Sequence, residues 1–147
     1  MRTSRFGLIV SGALVAMMAA AGADESIEPG QWKITTKIRT NGGTMPPEVK
    51  ARCLTPEQAG DLGKTFGPVM TMTNSTCERT AYDATGRRLK WRMQCRGQID
   101  MDVAGDFDFD TSSHYTATVV TKAWMAGMLM NDVTMELEGE HLGDCQK

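Results

Sequence analysis

The chain has 147 residues, which suits one domain of ordinary size with a modest core. Its formal net charge is −2 at pH 7, and its densest basic stretch, residues 87–92, alternates with apolar residues as the solvent face of a strand does. Nucleic-acid-binding domains usually carry a clustered basic surface. We therefore expect no nucleic acid among the partners of this protein.

The N-terminal segment has the features of a cleavable export signal. Arg2 and Arg5 precede an apolar run, residues 6–21, that is too short and too interrupted to span a bilayer. The run ends in Ala-Gly-Ala, residues 21–23, which matches a signal-peptidase site. The alternative, an uncleaved membrane anchor, is disfavoured because no stop-transfer run or positive cluster follows.

Cleavage at this site removes residues 1–23 and leaves residues 24–147 as a single domain. The formal charge then changes from −2 to −4, because the two arginines of the signal peptide are lost. No cysteine lies at the cleavage site, so a lipid-anchored product is disfavoured. We expect a soluble protein that is periplasmic or secreted.

The first part of this domain predicts a strand, a loop and a helix. Residues 31–39 alternate apolar and polar side chains, which is the pattern of a half-buried strand. Residues 40–52 contain Asn-Gly-Gly and Pro-Pro, and we interpret them as a loop. A single short helix is predicted next, because Thr55 and Gln58 form a capping box around Pro56.

The sequence Asp-Ala-Thr-Gly, residues 83–86, predicts a hairpin with a three-residue loop. Continuing this register along the two strands places Cys77 opposite Met93. Cys95 then lies one diagonal step from Cys77, at a distance of roughly 7 to 8 Å.

The clearest strand pattern covers residues 99–110, which are apolar at most odd positions and acidic at most even positions. One face of this strand is therefore apolar and the other acidic. We interpret the acidic face as a solvated surface, and weak Ca²⁺ binding is the alternative. A hairpin loop is predicted at residues 111–113. The predicted pairs across this hairpin are Phe107 with Ala117 and Phe109 with Tyr115.

A last strand is predicted over residues 132–139, again with apolar side chains at odd positions. The strands follow one another at meander spacing, with scarcely any helix between them. The predicted fold is therefore all-β. We expect a single antiparallel meander sheet of about six strands, strongly curved or closed as a small barrel, with one short helix after the first strand.

All four cysteines, Cys53, Cys77, Cys95 and Cys145, lie in the exported part, where an even count indicates two disulfides. Zinc sites need closely spaced pairs, so a structural metal is disfavoured. Diagonal neighbours lie slightly too far apart for an unstrained bridge, which disfavours Cys77 with Cys95. We expect Cys53 to pair with Cys77, since sequential elements tend to be neighbours, and Cys95 to pair with Cys145.

Several short motifs occur in a fixed order along the domain. They are Glu-Pro-Gly-Gln-Trp at residues 28–32, Arg-Cys-Leu-Thr-Pro-Glu at residues 52–57, the isolated Cys77 and Cys95, and Leu-Gly-Asp-Cys at residues 142–145. In this order and spacing the chain resembles the bacterial domain-of-unknown-function 3617 family over essentially the whole mature part. The resemblance implies a small exported bacterial protein whose family has no assigned activity.

The chemistry-bearing residues do not form a catalytic pattern. The chain has two histidines, and His114 lies at a hairpin end with Asp110 opposite it, which an exposed turn explains. His141 lies near the C-terminus. The carboxylates of residues 100–110 face water, whereas a glycosidase pair needs one desolvated acid. We therefore expect no catalytic residue, no cofactor and no resident metal, and hence a protein that is not an enzyme.

The candidate contact surface is residues 123–130. This segment lies between two predicted strands and carries no charged residue. Such a segment either folds as a lid over the open end of the sheet or stays exposed as a contact patch. An apolar ligand, an unfolded chain or a membrane surface would suit it, because methionine adapts to varied partners. The possible ligand contacts are Trp124, Met125, Met128 and Met130.

A second possibility is soft-metal binding, since thioethers select Cu(I). The candidate ligands are Met70 and Met72 together with Met125, Met128 and Met130. The function indicated by the sequence is therefore an exported, non-enzymatic binding or envelope-maintenance module, which we expect to act as a monomer on an apolar ligand or envelope component. The alternative is a carrier of an apolar ligand or of Cu(I).

Overall fold

A computed structural model describes residues 26–146, so the predicted signal peptide, residues 1–23, lies outside the described residues. The described part forms one antiparallel sheet of eight strands with two short helices. The predicted all-β class is confirmed. The elements are β1 (Gly30–Thr40), β2 (Gly43–Thr44), β3 (Glu48–Leu54), α1 (Pro56–Gly60), α2 (Leu62–Phe66), β4 (Ser75–Thr85), β5 (Arg88–Gly97), β6 (Asp100–Thr111), β7 (His114–Met125) and β8 (Met128–Gly143).

The strands follow the order β2-β1-β8-β7-β6-β5-β4, and β3 also pairs with β1. The first and last long strands are therefore neighbours inside the sheet. The strands at its two ends do not pair with each other, so the predicted closure into a barrel is wrong. Neither described helix is long and apolar enough to cross a membrane.

The predicted count of six strands is also wrong, because residues 40–52 do not form one continuous loop. Their glycine and proline signals mark two short breaks, at residues 41–42 and 45–47, and strands β2 and β3 form around them. Strand β3 lies at the edge of the sheet, and all of its residues except Leu54 are exposed. An exposed edge strand has no apolar alternation by which to recognise it.

The predicted capping box of α1 is confirmed. The Thr55 hydroxyl accepts a hydrogen bond from the Gln58 backbone N–H at 3.2 Å, and the Gln58 side chain accepts one from the Thr55 N–H at 2.9 Å. The prediction of a single helix is wrong, because Asp61 starts α2 immediately afterwards. Its carboxylate accepts from the Lys64 N–H at 2.9 Å and caps the new helix.

The β4–β5 hairpin differs from the predicted register in two places. Its loop has two residues rather than three, with Gly86 at φ 59° in the first loop position and Thr85 opposite Arg88. A bulge at Thr80 then shifts the pairing by one residue. As a result Cys77 lies directly opposite Cys95.

This register corrects the predicted disulfides, which are Cys77–Cys95 and Cys53–Cys145. The Cα atoms are 4.0 Å apart in the first bridge and 5.6 Å apart in the second. Cys53 lies in β3 at the sheet edge and Cys145 follows β8, and β1 pairs with both strands. In the chain-entropy model the Cys53–Cys145 bridge contributes about 4 to 5 kcal/mol, and the shorter loop closed by Cys77–Cys95 about 3 kcal/mol.

The core lies between one face of the sheet and the two helices. The buried aromatic rings of the sheet are covered by Phe66, whose ring centroid lies 5.2 Å from that of Phe109 and 5.3 Å from that of Tyr115. The buried Trp91 indole N–H donates to the Phe66 carbonyl at 3.0 Å, so the helical segment is fixed to the sheet. Burial raises the pKa of Tyr115 to about 12.

Two glycines on this face make room for the flat packing of large rings. A Cβ on Gly139 would lie 2.0 Å from the Tyr115 ring, and one on Gly105 would lie 2.4 Å from the Trp91 ring. Tyr115 and Trp91 each lie across a glycine of the neighbouring strand, as the register shows. The aromatic core is thus filled by side chains.

The predicted pairing of Phe107 with Ala117 is confirmed, but Phe109 and Tyr115 are not paired, because the register shifts between Asp108 and Thr111. Phe107 is 6% exposed and stacks on Phe109, whereas Asp108 on the opposite face forms an exposed ion pair with Arg88. We expect Phe107→Ala to lower the free energy of unfolding by about 3 to 5 kcal/mol, because it leaves a cavity. Asp108→Ala should change it by about 0.5 kcal/mol. Denaturant unfolding measures both, and equal losses would contradict this orientation of β6.

Candidate functional site

Residues 123–130 form the end of the β7–β8 hairpin and not a lid over the sheet. Ala126 and Gly127 make the two-residue turn, with φ values of 50° and 78°. Positive φ at both central positions is the geometry of a type I′ turn, which connects tightly paired strands. Met125 lies opposite Met128, and Trp124 lies opposite Leu129. We call residues 124–130 the hairpin tip.

The hairpin tip exposes large apolar side chains. The exposed fractions are 42% for Met125, 65% for Met128, 49% for Leu129 and 54% for Met130. Trp124 is partly buried. Met130 is the extra residue of a bulge, since Ala123 pairs with Asn131 and Trp124 with Leu129. The tip therefore brings together all four contact residues that the sequence indicated, and adds Leu129 to them.

The tip projects past the neighbouring strand on one side. The last pair between β1 and β8 is Thr40 with Val133, so residues 128–132 of β8 have no partner from β1. On the other side β6 begins at Asp100, opposite Trp124. The turn and the first residues of β8 are thus held by β7 alone.

The core face of the sheet becomes less buried toward the tip. Phe107 and Ala117 lie in one row across the strands and are buried. In the next row, Val119, Met135 and Ile38 are only partly buried. The helices therefore cover one part of the apolar face, and the part that leads to the hairpin tip stays partly open to solvent.

The two methionine groups proposed for copper lie in different parts of the sheet. Met72 forms a bridge to Ser75 at the start of β4, and it packs against the core. Strands β5 and β6 separate β4 from β7, which corresponds to about 14 Å at the usual strand spacing. Met70 and Met72 are therefore not brought to the hairpin tip. Within residues 26–146, no group of three or more His, Cys, Asp or Glu side chains is arranged to hold a metal ion.

The face of the sheet opposite the core is polar, and its acidic and basic side chains lie on neighbouring strands. Its predicted solvent exposure is confirmed, and the carboxylates of β6 pair with basic side chains of β5, as in Arg88–Asp108 at 3.0 Å and Lys90–Asp106 at 2.9 Å. A groove of about 470 Å³ runs over the centre of this face. Carboxylates of β6 and β8 flank two threonines of β7, and basic residues lie outside them. The lining side chains include Lys37, Arg88, Asp106, Asp108, Thr116, Thr118, Glu136 and Glu138.

The sequence did not reveal that both ring nitrogens of each histidine have partners. His114 contacts Asp110 through Nδ1 at 2.7 Å and Glu138 through Nε2 at 3.3 Å. His141 contacts the Glu28 carboxylate through Nδ1 at 3.1 Å and the Pro29 carbonyl through Nε2 at 3.0 Å. The His114 contacts join the start of β7 to β6 and β8, and the His141 contacts join β8 to the residues before β1, so both rings serve as cross-links in the described structure.

The hydrogen bond to Asp110 raises the pKa of His114, with a smaller contribution from Glu138. The same hydrogen bond lowers the pKa of Asp110. Glu140 also interacts electrostatically with His114, and its own partner is Lys33. Since the pKa of His114 is higher in the folded state than in the unfolded chain, its charged form stabilises the fold.

We expect His114→Gln to destabilise the domain in acid more than in base. The contribution of His114 is fully present below its unfolded pKa of about 6.5, and it disappears as pH rises through the higher folded value. Unfolding free energies of both proteins, measured from pH 5 to pH 9, should therefore converge as pH rises. Arg88→Gln also removes a surface ion pair but no histidine, and its difference from wild type should stay nearly constant. A constant difference for His114→Gln would contradict the assignment.

Comparison with known proteins gives a family but no activity. No curated protein and no solved structure matches this chain. A family model described as "Protein of unknown function (DUF3617)" matches residues 27–145, which include every strand and helix of the sheet. The resemblance seen in the sequence motifs is thereby confirmed. The chain belongs to the DUF3617 family, whose function is unknown.

Proposed function

We propose that this domain is an exported, non-catalytic binding module that contacts an apolar partner through the hairpin tip. The observation that carries the proposal is the exposure of Met125, Met128, Leu129 and Met130 around a single turn. Turns at hairpin ends usually contain Asn, Gly or Asp, which suit water and positive φ. A cluster of exposed apolar side chains in such a place is typical of an interaction site.

The backbone of the turn supports the same proposal. Ala126 has φ 50°, and a residue with a Cβ costs of the order of 1 kcal/mol in this conformation. Asn or Gly at this position would relieve that cost. The turn is therefore not arranged for stability alone. A small, uncharged side chain at the apex instead keeps the tip narrow and apolar.

The proposed location is outside the cytoplasm, in the periplasm or in secreted material. The two disulfides are consistent with an oxidising compartment. We also propose that no nucleic acid binds and that the module acts as a monomer on an apolar ligand or envelope component.

Export with cleavage after residue 23 gives a direct expectation for the mass of the protein. Intact mass spectrometry of the exported material should correspond to residues 24–147 with both disulfides formed. Retention of Met1 in that fraction would contradict the proposed signal peptide. Four free thiols would contradict the proposed oxidising location.

The second candidate is a carrier of an apolar ligand or of Cu(I). For Cu(I), the specific observation is that Met125 lies opposite Met128 across the turn, with Met130 close along the chain, so three thioethers lie near one another. An apolar-ligand carrier needs an enclosed space. The aromatic core beneath the helices is filled, and this favours a protein that acts through its surface.

Transfer into detergent micelles tests the surface role. Trp32 and Trp91 are buried at 0% and 6% exposure, so Trp124 should dominate any change in tryptophan emission. We expect a blue shift on addition of dodecyl maltoside micelles, absent in Trp124→Phe and weakened in Leu129→Ser. Leu142→Ser is the matched control, because Leu142 is 61% exposed at the other end of the same strand. Emission that does not respond to micelles would contradict the proposal. Cu(I) titration of the wild type beside Met128→Ser, which lacks one of the three thioethers, tests the alternative.

A further inference from the structure

We infer that the apolar partner is a lipid bilayer, and that the hairpin tip inserts into its interfacial region. This inference rests on the proposed function and names the partner. It follows from the distribution of apolar residues around the tip, from the area they expose, from the charges behind the tip and from the length of hairpin beyond those charges.

The tip is apolar on both faces of the hairpin. Side chains alternate along a strand, so Met125 and Met128 lie on one face and Trp124 and Leu129 on the other. The rest of the sheet is apolar on one face and charged on the opposite face. A protein partner that docks on a sheet contacts one face, whereas lipid surrounds an inserted hairpin on both faces. The change from a two-sided to a uniformly apolar surface therefore fits a lipid.

The apolar area of the tip is small. Four side chains that are about half exposed present at most a few hundred Å² of apolar surface. Each partner in a stable protein complex buries about 800 Å². The tip is too small to hold a protein partner or a second copy of the chain by itself. Insertion into a bilayer removes the whole surface of the tip from water and needs no complementary partner surface.

Charged side chains of both signs lie behind the tip. On the charged face the hairpin carries the Lys122–Asp132 pair at 3.5 Å. Beside it lie the Arg96–Asp102 pair and the pair between Arg39 and Glu136. Arg92 and Asp100 add one charge of each sign, so neither sign is in excess. Zwitterionic headgroups, which carry both signs, complement such a surface, and anionic lipid gives no added attraction.

The geometry of the hairpin limits the depth of insertion. Two residues of β7 and three of β8 separate the turn from the level of Ala123 and Asn131, which corresponds to roughly 10 Å of strand. Amphipathic segments that lie at a membrane surface bury their apolar side about 5 to 10 Å deep. Backbone groups of residues 128–132 that have no β1 partner stay within the hydrated headgroup region at that depth. Trp124 then lies at the interface, where tryptophan is favoured.

The test uses the exported form, residues 24–147, with vesicles of phosphatidylcholine alone. We expect co-flotation with the vesicles, a blue shift of Trp124 emission, and quenching by lipids brominated near the headgroup end of the acyl chain. Leu129→Ser should weaken partitioning about 10-fold, because it removes one apolar side chain from the inserted tip. Leu142→Ser should bind like wild type. Circular dichroism of both variants confirms that they are folded.

Salt and lipid charge separate this mode from electrostatic adsorption. Partitioning should change less than 2-fold between low and high salt, and also when part of the lipid is replaced by phosphatidylglycerol. Binding that requires the anionic lipid, or that Leu129→Ser leaves unchanged, would overturn the inference. A Trp124 emission shift with detergent micelles but not with vesicles would also overturn the inference. That result would leave the proposed apolar-contact function in place. No response to either micelles or vesicles would contradict both the proposed function and the bilayer inference.

Discussion

The pairing of β1 with β8 inside the sheet is the constraint on which the other features depend. It places the first and last long strands side by side, so Trp32 packs against Tyr115 and His141. It also brings Cys53 of β3 close to Cys145. Because β1 has 11 residues and β8 has 16, the register that aligns the start of β1 with the end of β8 leaves the start of β8 without a β1 partner. The projecting hairpin tip is thus a direct result of unequal strand lengths.

Much of the central sheet could be predicted from local sequence. The alternation over residues 99–110 identified the buried face of β6, and the capping box at Thr55 located α1, because both signals arise from neighbouring residues. Strand β3 could not be predicted, because an exposed edge strand shows no alternation of apolar and polar side chains. The bulge at Thr80 carries no clear sequence signal either. Together with the shorter turn loop, it sets the pairing of β4 with β5 that places Cys77 opposite Cys95.

The location of the candidate site could be predicted from composition, but its conformation could not. Eight uncharged residues, 123–130, indicated a surface with an apolar preference. In a uniformly apolar segment, however, strand periodicity cannot be seen, and Ala126 gives no hint of the positive φ that closes the turn. The structure supplies what the sequence lacked, which is the long-range register between β7 and β8. Only that register distinguishes a lid over the core from a tip that points away from it.

The ion pairs between neighbouring strands and the apolar hairpin tip have complementary roles. A slip of one residue between β5 and β6 would move their buried side chains to solvent and would separate the pairs Arg88–Asp108 and Lys90–Asp106. The register is therefore fixed from both faces. A hairpin that contacts an apolar phase needs such a platform, because a strand free to slip could bury its exposed side chains against its own sheet. The two disulfides act in the same direction at the edges of the sheet. Apolar exposure can be maintained at the tip because the remainder of the sheet is held in one register.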